Sequence, residues 1–334
     1  MVLVISRGNE GSTDDVLEWL DYFGIDFIRV NLKNRIKINE ISFENGISFE
    51  IEINHRKFNS SKIKAIWFRR GMMRVDDFLP FSVGLENINS IEDGLKYAVS
   101  AHSNARQEIL EYLVNDVDIF KIGVNGMSRT NKVNNLGVAK SIGLMTPKTI
   151  LTGNKKSLIN FFNECPQGII TKSIDVNFYA KEVDSNTVHS YSQYTSEVTS
   201  LDLKKIQNEF TLTKFQEKLS KVYEIRTFFL NGKTYSQAIF TQLSEKTKID
   251  SRAYDKAKMN RVMPFKLPDY LNKKVLELMS KLNLSTGSLD FVRVENGDFV
   301  FLEVNPVGQF GYLSISCNYP LEKEIALELC KEKL

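Results

Sequence analysis

Cysteine is scarce in this 334-residue chain, with only Cys165, Cys317 and Cys330. They stand too far apart for a thiolate metal motif, and an odd number forms no closed disulfide framework, so they read as reduced core thiols. A strong charge of either sign is also missing. Lys plus Arg number 44 against 41 for Asp plus Glu, a net +3, scattered along the chain. That pattern argues against nucleic-acid binding. The opening MVLVISRGNE is too short in apolar residues for a signal segment, and no later run has the length of a membrane span. A cytoplasmic protein without a membrane partner is expected. Repeats at solenoid periods and low-complexity tracts are absent. Arg7-Gly8-Asn9-Glu10-Gly11, after the first apolar run, lacks the G-x-G-x-x-G spacing of a dinucleotide fold, which argues against an oxidoreductase of that kind.

What remains is an ordinary folding composition, 42% hydrophobic and 25% charged. The length predicts two or three domains around a shared cleft. Residues 1–122 read as an open α/β domain. Its signals are a run Val2 to Ile5, a helical pattern Thr13 to Phe23 with Ser12 or Thr13 as cap, a second run Phe27 to Val30, a hairpin about Asn45-Gly46, a strand Ala65 to Phe68 and a helix from Ile91 to Leu113. Residues 123–214 alternate short helices and strands and read as a small α+β lid. Residues 215–334 hold two hairpins and two helices, Pro268 to Leu282 and Pro320 to Lys331.

The richest stretch runs from Ser288 to Pro306, two β-rich segments joined by Asn296-Gly297. Asn-Gly signals a two-residue hairpin turn, which pairs Glu295 with Asp298 and carries Asp290 opposite Glu303. Like charges across a ladder repel, and Leu289, Phe291, Leu302 and Val304 around them argue for burial, so a positive group is expected between them. Asn305 falls on the face of Glu303 by strand alternation. Two carboxylates and an amide oxygen, with no His or Cys near, suit a hard cation such as Mg²⁺. By spacing alone, an ordinary hairpin with solvated acids stands beside that reading. Pro306 ends the strand and leaves Val307-Gly308-Gln309 as a loop.

The segment FLEVNPVGQFGYLS, with SLDFV upstream, resembles the terminal motif of ATP-grasp ligases, and in particular the peptide maturases that make microviridin-like graspetides. Gln309-Phe310 after Asn-Pro-x-Gly is similar to the grasp-with-spasm branch. The resemblance implies a three-part ATP-grasp fold, with an N-terminal α/β domain, a lid and a C-terminal domain binding ATP and Mg²⁺. It assigns Asp290, Glu303 and Asn305 to Mg²⁺.

Other positions follow from the same resemblance. Lys132 begins a helical pattern that Gly143 and Pro147 close, like the first nucleotide-contacting lysine of the lid, and Lys172 in Gly-Ile-Ile-Thr-Lys-Ser-Ile is like the second. The family's glycine-rich phosphate loop has no counterpart, since residues 173–179 hold no glycine. Gln216, Glu217 and Lys218 resemble the strand that holds adenine and ribose. Downstream, Tyr223 to Phe240 is another Asn-Gly hairpin, which sets Arg226 opposite Gln237 with Glu224 on their face and Ile225, Thr227, Phe229 and Ala238 on the core side. By resemblance Arg226 stabilises developing phosphate charge. Arg252, Asn260 and Arg261 fall in a loop-like stretch where relatives approach phosphates and the substrate carboxylate, and guanidinium forks suit such oxyanions.

The activity so implied is ATP-dependent crosslinking of a ribosomally made precursor peptide, with leader and core segments, by a homodimeric enzyme. An Asp or Glu side chain becomes an acyl phosphate and is joined to a Thr or Ser hydroxyl or a Lys amine. The competing expectations are a ligase adding amino acids to a protein tail and a nucleotide-binding module without catalysis.

Overall fold

The computed structural model describes residues 1–44, 46–75, 93–116, 118–125, 131–172, 174, 179–184, 187–192, 195–243 and 260–331. The chain forms two compact units, residues 1–128 with 320–334, and residues 129–319.

In the first unit, strand β1 (Val2–Ile5) leads into helix α1 (Gly11–Tyr22) and strand β2 (Phe27–Val30). A second layer is begun by β3 (Arg35–Ser42), β4 (Ser48–Ile53) and β5 (Arg56–Asn59). Then come β6 (Ala65–Phe68), β7 (Arg74–Val75), helix α2 (Asp93–Asp116) and β8 (Phe120–Ile122). The strands make a parallel sheet of order β2-β1-β6-β8 and a second sheet of order β5-β4-β3-β7. Val-Leu-Val-Ile and Ala-Ile-Trp-Phe are buried at every position, as parallel strands covered on both faces require. In β4 the alternation of Phe49, Ile51 and Ile53 turns one face to the core. Glu10, not Ser12 or Thr13, stands at the N-cap of α1, and Thr13 Oγ1 donates to its carboxylate at 3.1 Å. The expected hairpin is the β3–β4 pair; Asn45 lies outside the described residues.

Where the sequence divides the chain at 215–334, the last helix, Leu321–Cys330, packs with α1, β6 and β8 instead. Its buried stripe of Leu321, Ile325 and Leu329 has apolar cover there, so residues 320–334 join the first unit.

The second unit opens with α3 (Lys132–Ser141), β9 (Thr149–Asn154), α4 (Lys155–Asn163) and β10 (Ile169–Lys172). The hairpin β11 (Tyr179–Asp184) with β12 (Thr187–Ser192) follows, then β13 (Ser196–Val198), α5 (Ser200–Lys205) and β14 (Glu209–Glu217). Asn131 and Asn154 cap α3 and α4 through their side chains, and Thr199 with Asp202 forms a capping box on α5. These elements include an antiparallel sheet of order β13-β10-β14-β9 over a core of Leu158, Phe161, Ile169 and Phe215.

The remainder is a five-stranded antiparallel sheet of order β17-β16-β15-β18-β19. It is built from β15 (Lys221–Leu230), β16 (Lys233–Phe240), β17 (Arg261–Phe265), β18 (Thr286–Val294) and β19 (Phe299–Asn305). Helix α6 (Asp269–Lys281) joins β17 to β18, and α7 (Gly311–Cys317) follows β19. Ile225, Thr227, Phe229, Ala238, Leu289 and Phe291 are buried on one face of this sheet.

Candidate active site

The two Asn-Gly hairpins of the sheet close differently. Asn231 and Gly232 both adopt positive φ, 43° and 88°, as a two-residue turn requires, and Leu230 pairs with Lys233. The register then sets Arg226 against Gln237, as the spacing predicts. At 296–297 only Gly297 has positive φ. Val294 N donates to Asp298 O at 3.0 Å, so the loop is the three residues Glu295, Asn296 and Gly297. Asn296 Oδ1 accepts from Asp298 N at 3.0 Å, and Arg293 donates to the Gly297 carbonyl. Glu295 therefore does not pair with Asp298, and the ladder starts one residue out of the expected register.

A bulge restores it. Phe291 pairs with Phe301, but Asp290 pairs with Glu303, leaving Leu302 as the extra residue. In a regular ladder Glu303, two positions beyond Phe301, would share its face, because strand side chains alternate. With the bulge, Phe301 turns inward against Phe291, ring centroids 5.5 Å apart, and Glu303 turns to the other face.

That other face carries one polar row across four strands: Gln237, Arg226, Asp290 and Glu303. Arg226 Nε lies 3.7 Å from Asp290 Oδ1. Lys132 Nζ lies 3.3 Å and Lys172 Nζ 4.0 Å from Glu303 Oε2. Lys132 gets there because α3 packs on β19, where Phe301 N donates to Met145 O at 2.8 Å. The sequence reading passed over Lys214, which pairs with Lys172 across β10 and β14, is 1% exposed and acts electrostatically on Glu303. A lysine at an inward position of a strand, one residue out of phase with Phe215, was the available signal.

Burial and neighbouring charge together set the ionisation of the acids. Burial raises Asp290 to about 6, with Arg226 opposing and Glu303 and Glu224 reinforcing the rise. Burial also acts upward on Glu303, but Lys172, Lys132 and Lys214 outweigh it and hold that carboxyl below its ordinary value. Glu303 is thus the resident anion of a lysine cluster, and Asp290 is the acid in reserve.

Two donors on the row are unspent. Arg226 Nε and Gln237 Nε2 are buried without a hydrogen-bond partner among the described residues. Gln237 Oε1 accepts from Ser316 Oγ at 2.9 Å, which ties the row to α7. A buried donor left unmade costs about 1–3 kcal/mol, which an oxyanion at this face would recover.

The other expected residues divide. Asn305 shares the face of Glu303, pairing with Ser288, but its Oδ1 accepts from Val307 N at 3.2 Å and Gly308 N at 3.3 Å and so closes the loop after β19. Those two hydrogen bonds engage both lone pairs of that oxygen, so a cation would reach it only in exchange for one of them. Gln216 donates to Thr149 Oγ1 at 2.9 Å, Glu217 accepts from Lys148 N at 2.8 Å, and Lys218 holds both Glu197 oxygens at 2.8 Å. These three side chains are engaged away from Glu303. Arg261 does not lie in a loop. It opens edge strand β17, pairs with Phe240 and sits 5.8 Å over that ring, on the face of Ala238, opposite to Arg226. Period-two alternation along β17 takes it off the row. Asn260 immediately precedes β17. Arg252 lies outside the described residues, as does the segment 173–179 apart from Ile174 and Tyr179.

Two opposed carboxylates, Asp290 and Glu303, fit a hard divalent cation that takes its remaining ligands from water or phosphate, with the Asn305 oxygen joining where it gives up a loop hydrogen bond. Among the described residues no three of His, Cys, Asp or Glu gather as a metal cluster, so the cation reading rests on the carboxylate pair.

Sheets, lid-like second sheet and the charged row together define the ATP-grasp fold. Solved structures share it along the whole chain. The Chryseobacterium gregarium RiPP-associated ATP-grasp ligase, in complex with ADP and a leader and core peptide, is 22% identical with a TM-score of 0.78, covering 100% of this chain and 97% of its own. Macrocyclase MdnC from Microcystis aeruginosa MRC, bound with precursor peptide MdnA, is 23% identical with a TM-score of 0.74, covering 99% and 100%. D-alanyl-alanine synthetase A from Vibrio cholerae is 10% identical with a TM-score of 0.52, covering 99% and 97%. No family model matches the sequence, and no curated protein matches it.

Proposed function

We propose that the chain is an ATP-dependent peptide maturase that joins Asp or Glu side chains of a ribosomally made precursor peptide to Thr or Ser hydroxyls or Lys amines. The observation that carries this reading is the meeting of Asp290, Glu303, Arg226, Lys132 and Lys172 at one place. It occurs in a chain similar along its length to a peptide macrocyclase and a RiPP-associated ligase.

In this reading Lys132, Lys172 and Lys214 balance the charge of the ATP phosphates, with Lys214 supplying part of what a glycine-rich loop supplies elsewhere. Asp290, Glu303 and Asn305 hold Mg²⁺, which when bound neutralises phosphate oxygens and orients them for in-line transfer. Gln216, Glu217 and Lys218 serve adenine and ribose; the amides of Glu217 and Lys218 already donate to Lys148 O and Gly168 O, so the nucleotide would meet carbonyls or displace present side-chain contacts. Arg226 and Gln237 offer the unspent donors to the transferring phosphoryl group and the acyl oxygen. Asn260 and Arg252 stand in the segment proposed to approach the substrate; Arg261, on the far face, is not assigned there.

The order of events follows from the leaving group. A carboxylate cannot expel oxide, so its oxygen first attacks the γ-phosphorus and ADP leaves. The peptide hydroxyl or amine then attacks the acyl carbon, losing its proton as phosphate departs, and an ester or amide remains. Excluding water preserves the acyl phosphate between the steps.

Incubating the protein with a co-encoded peptide, ATP and Mg²⁺ tests the proposal by mass spectrometry. Loss of one water mass per crosslink, with ADP formed, is expected. Free amino acid added to the peptide would support the tail-extending ligase, and ATP binding without ADP formation would support a non-catalytic module. Cytoplasmic residence and a homodimer belong to the same reading. The three cysteines, buried and free, favour a reducing compartment, and light scattering of the purified protein decides the assembly state.

A further inference from the structure

The parallel sheet of the first unit has a switch point of its own. From β1 the chain passes through α1 to β2 on one side and later returns as β6 on the other. The crevice beyond the carboxyl ends of such strands is where open α/β sheets bind ligands. Here those ends carry arginines. Arg69 and Arg70 follow β6, Arg7 follows β1, and Arg29 lies on β2.

The arrangement is tightly built. Arg69, its side chain 3% exposed, reaches Glu10 Oε1 at 3.1 Å, and Arg70 Nε approaches the same oxygen at 3.7 Å. Arg29 donates to Ser6 Oγ at 2.7 Å, to Asp14 and to the Arg7 carbonyl, which fixes the turn after β1. Gly71 lies against that turn, where a Cβ would stand 2.5 Å from Ser6 N. Thus Arg70 is presented by a fixed backbone.

Its charge is only partly answered. Arg29 pairs with Asp14, whereas Arg70 has Glu10 only in common with Arg69. Burial, with the charge of Arg70 acting against that of Glu10, lowers Arg69 to about 10. Arg70 shares its single carboxylate with Arg69, yet 29% of its side chain is open. Arg7 is exposed.

We propose that this edge is a carboxylate-binding site for an Asp or Glu side chain of the peptide substrate, Arg70 forming the fork, Arg7 the flank and the Arg69–Glu10 pair the fixed support. The identity of the ligand as a peptide rests on the proposed function; the anion preference rests on the arginines. A planar guanidinium matches a carboxylate bidentately. Glu10 reduces the net positive charge of this edge, so preference for a carboxylate rests on the planar match to the guanidinium and not on charge.

The test uses the full chain without ATP, labelled with ¹⁵N at arginine Nε, and a signal assigned to Arg70 through Arg70→Lys. A twelve-residue peptide of Thr and Glu is titrated, then the same peptide with Gln for Glu, then inorganic phosphate. The Arg70 signal should move with the Glu peptide, stay with the Gln peptide and move less with phosphate at equal concentration. Arg70→Gln, shown folded by its melting curve, should bind the Glu peptide at least tenfold more weakly. An Arg70 signal unmoved by the Glu peptide, or moved equally by the Gln peptide, overturns the proposal, and an equal response to phosphate replaces it with a phosphate site. Crosslinking of a precursor by a protein whose Arg70 stays silent would sink this inference alone, whereas a responsive Arg70 in a protein that never forms ADP would sink the maturase reading alone.

Discussion

Asp290 and Glu303 face each other across β18 and β19 only because two departures from a regular hairpin cancel, a three-residue loop at Glu295–Gly297 and a bulge at Leu302. The pairing places one acid whose protonation is favoured beside another held ionised by lysines. Replacing Glu303 removes the anion around which Lys132 and Lys172 gather. Glu303→Gln should lower kcat for ADP formation by on the order of a hundredfold or more. A steady-state ADP assay decides it, and turnover within threefold of wild type would refute the assignment.

Asp290 gives a pH signature in the protein free of metal and nucleotide. Its carboxyl is raised from the ordinary range to about 6 in the folded state. The folded form therefore holds the proton more tightly than the unfolded form. Stability from this group is fully present below the unfolded value and is lost as pH climbs through about 6. Urea melts of wild type and Asp290→Asn should show the wild type losing stability relative to the variant between about pH 4 and pH 6. A difference that stays flat, or rises, would contradict the burial argument.

Lys214 tests the charge balance of the phosphate site. It is 1% exposed, stands opposite Lys172 and helps hold Glu303 ionised. Lys214→Met keeps the stem and drops the charge, so KM for ATP should increase about tenfold, of the order of 1.4 kcal/mol. Lys214→Arg should recover part of the affinity. An unchanged KM would make Lys214 a structural residue of β14.

Much of this was legible in the chain because short-range rules govern it. The strands Val2–Ile5 and Ala65–Phe68 appear at the bounds their apolar runs give, and Asn231-Gly232 set the Arg226–Gln237 pair through turn chemistry alone. Asn296-Gly297 carries the same dipeptide with another outcome, since Asp298 and Arg293 engage the turn. The Leu302 bulge left no local mark, being favoured by Phe301 reaching Phe291 in the core. Arg261 stands in a polar stretch between two hairpins that reads as a loop, and its strand is an edge strand, which carries Pro264 without loss of the ladder. Lys214 was missed because its surroundings come from Lys172 and Glu303, distant in sequence.

Gly308 tests whether the loop after Asn305 is a fixed part of the site. Its φ is +51°, and a Cβ would stand 2.6 Å from Ser288 Oγ and 2.8 Å from Ser288 N. Gly308→Ala should destabilise the protein by roughly 2 kcal/mol or more, combining backbone strain with overpacking. The same shift moves the amides that hold Asn305 Oδ1, so the Mg²⁺ concentration needed for half-maximal turnover should rise. Adding Ser288→Gly removes the hydroxyl but leaves the backbone nitrogen and the positive φ, so rescue should be partial in both measurements. Full rescue would mean that the hydroxyl alone sets the fit and that the loop yields readily. No loss in Gly308→Ala would mean that the loop is not braced on β18, and Asn305 would then have no fixed position from which to serve a cation.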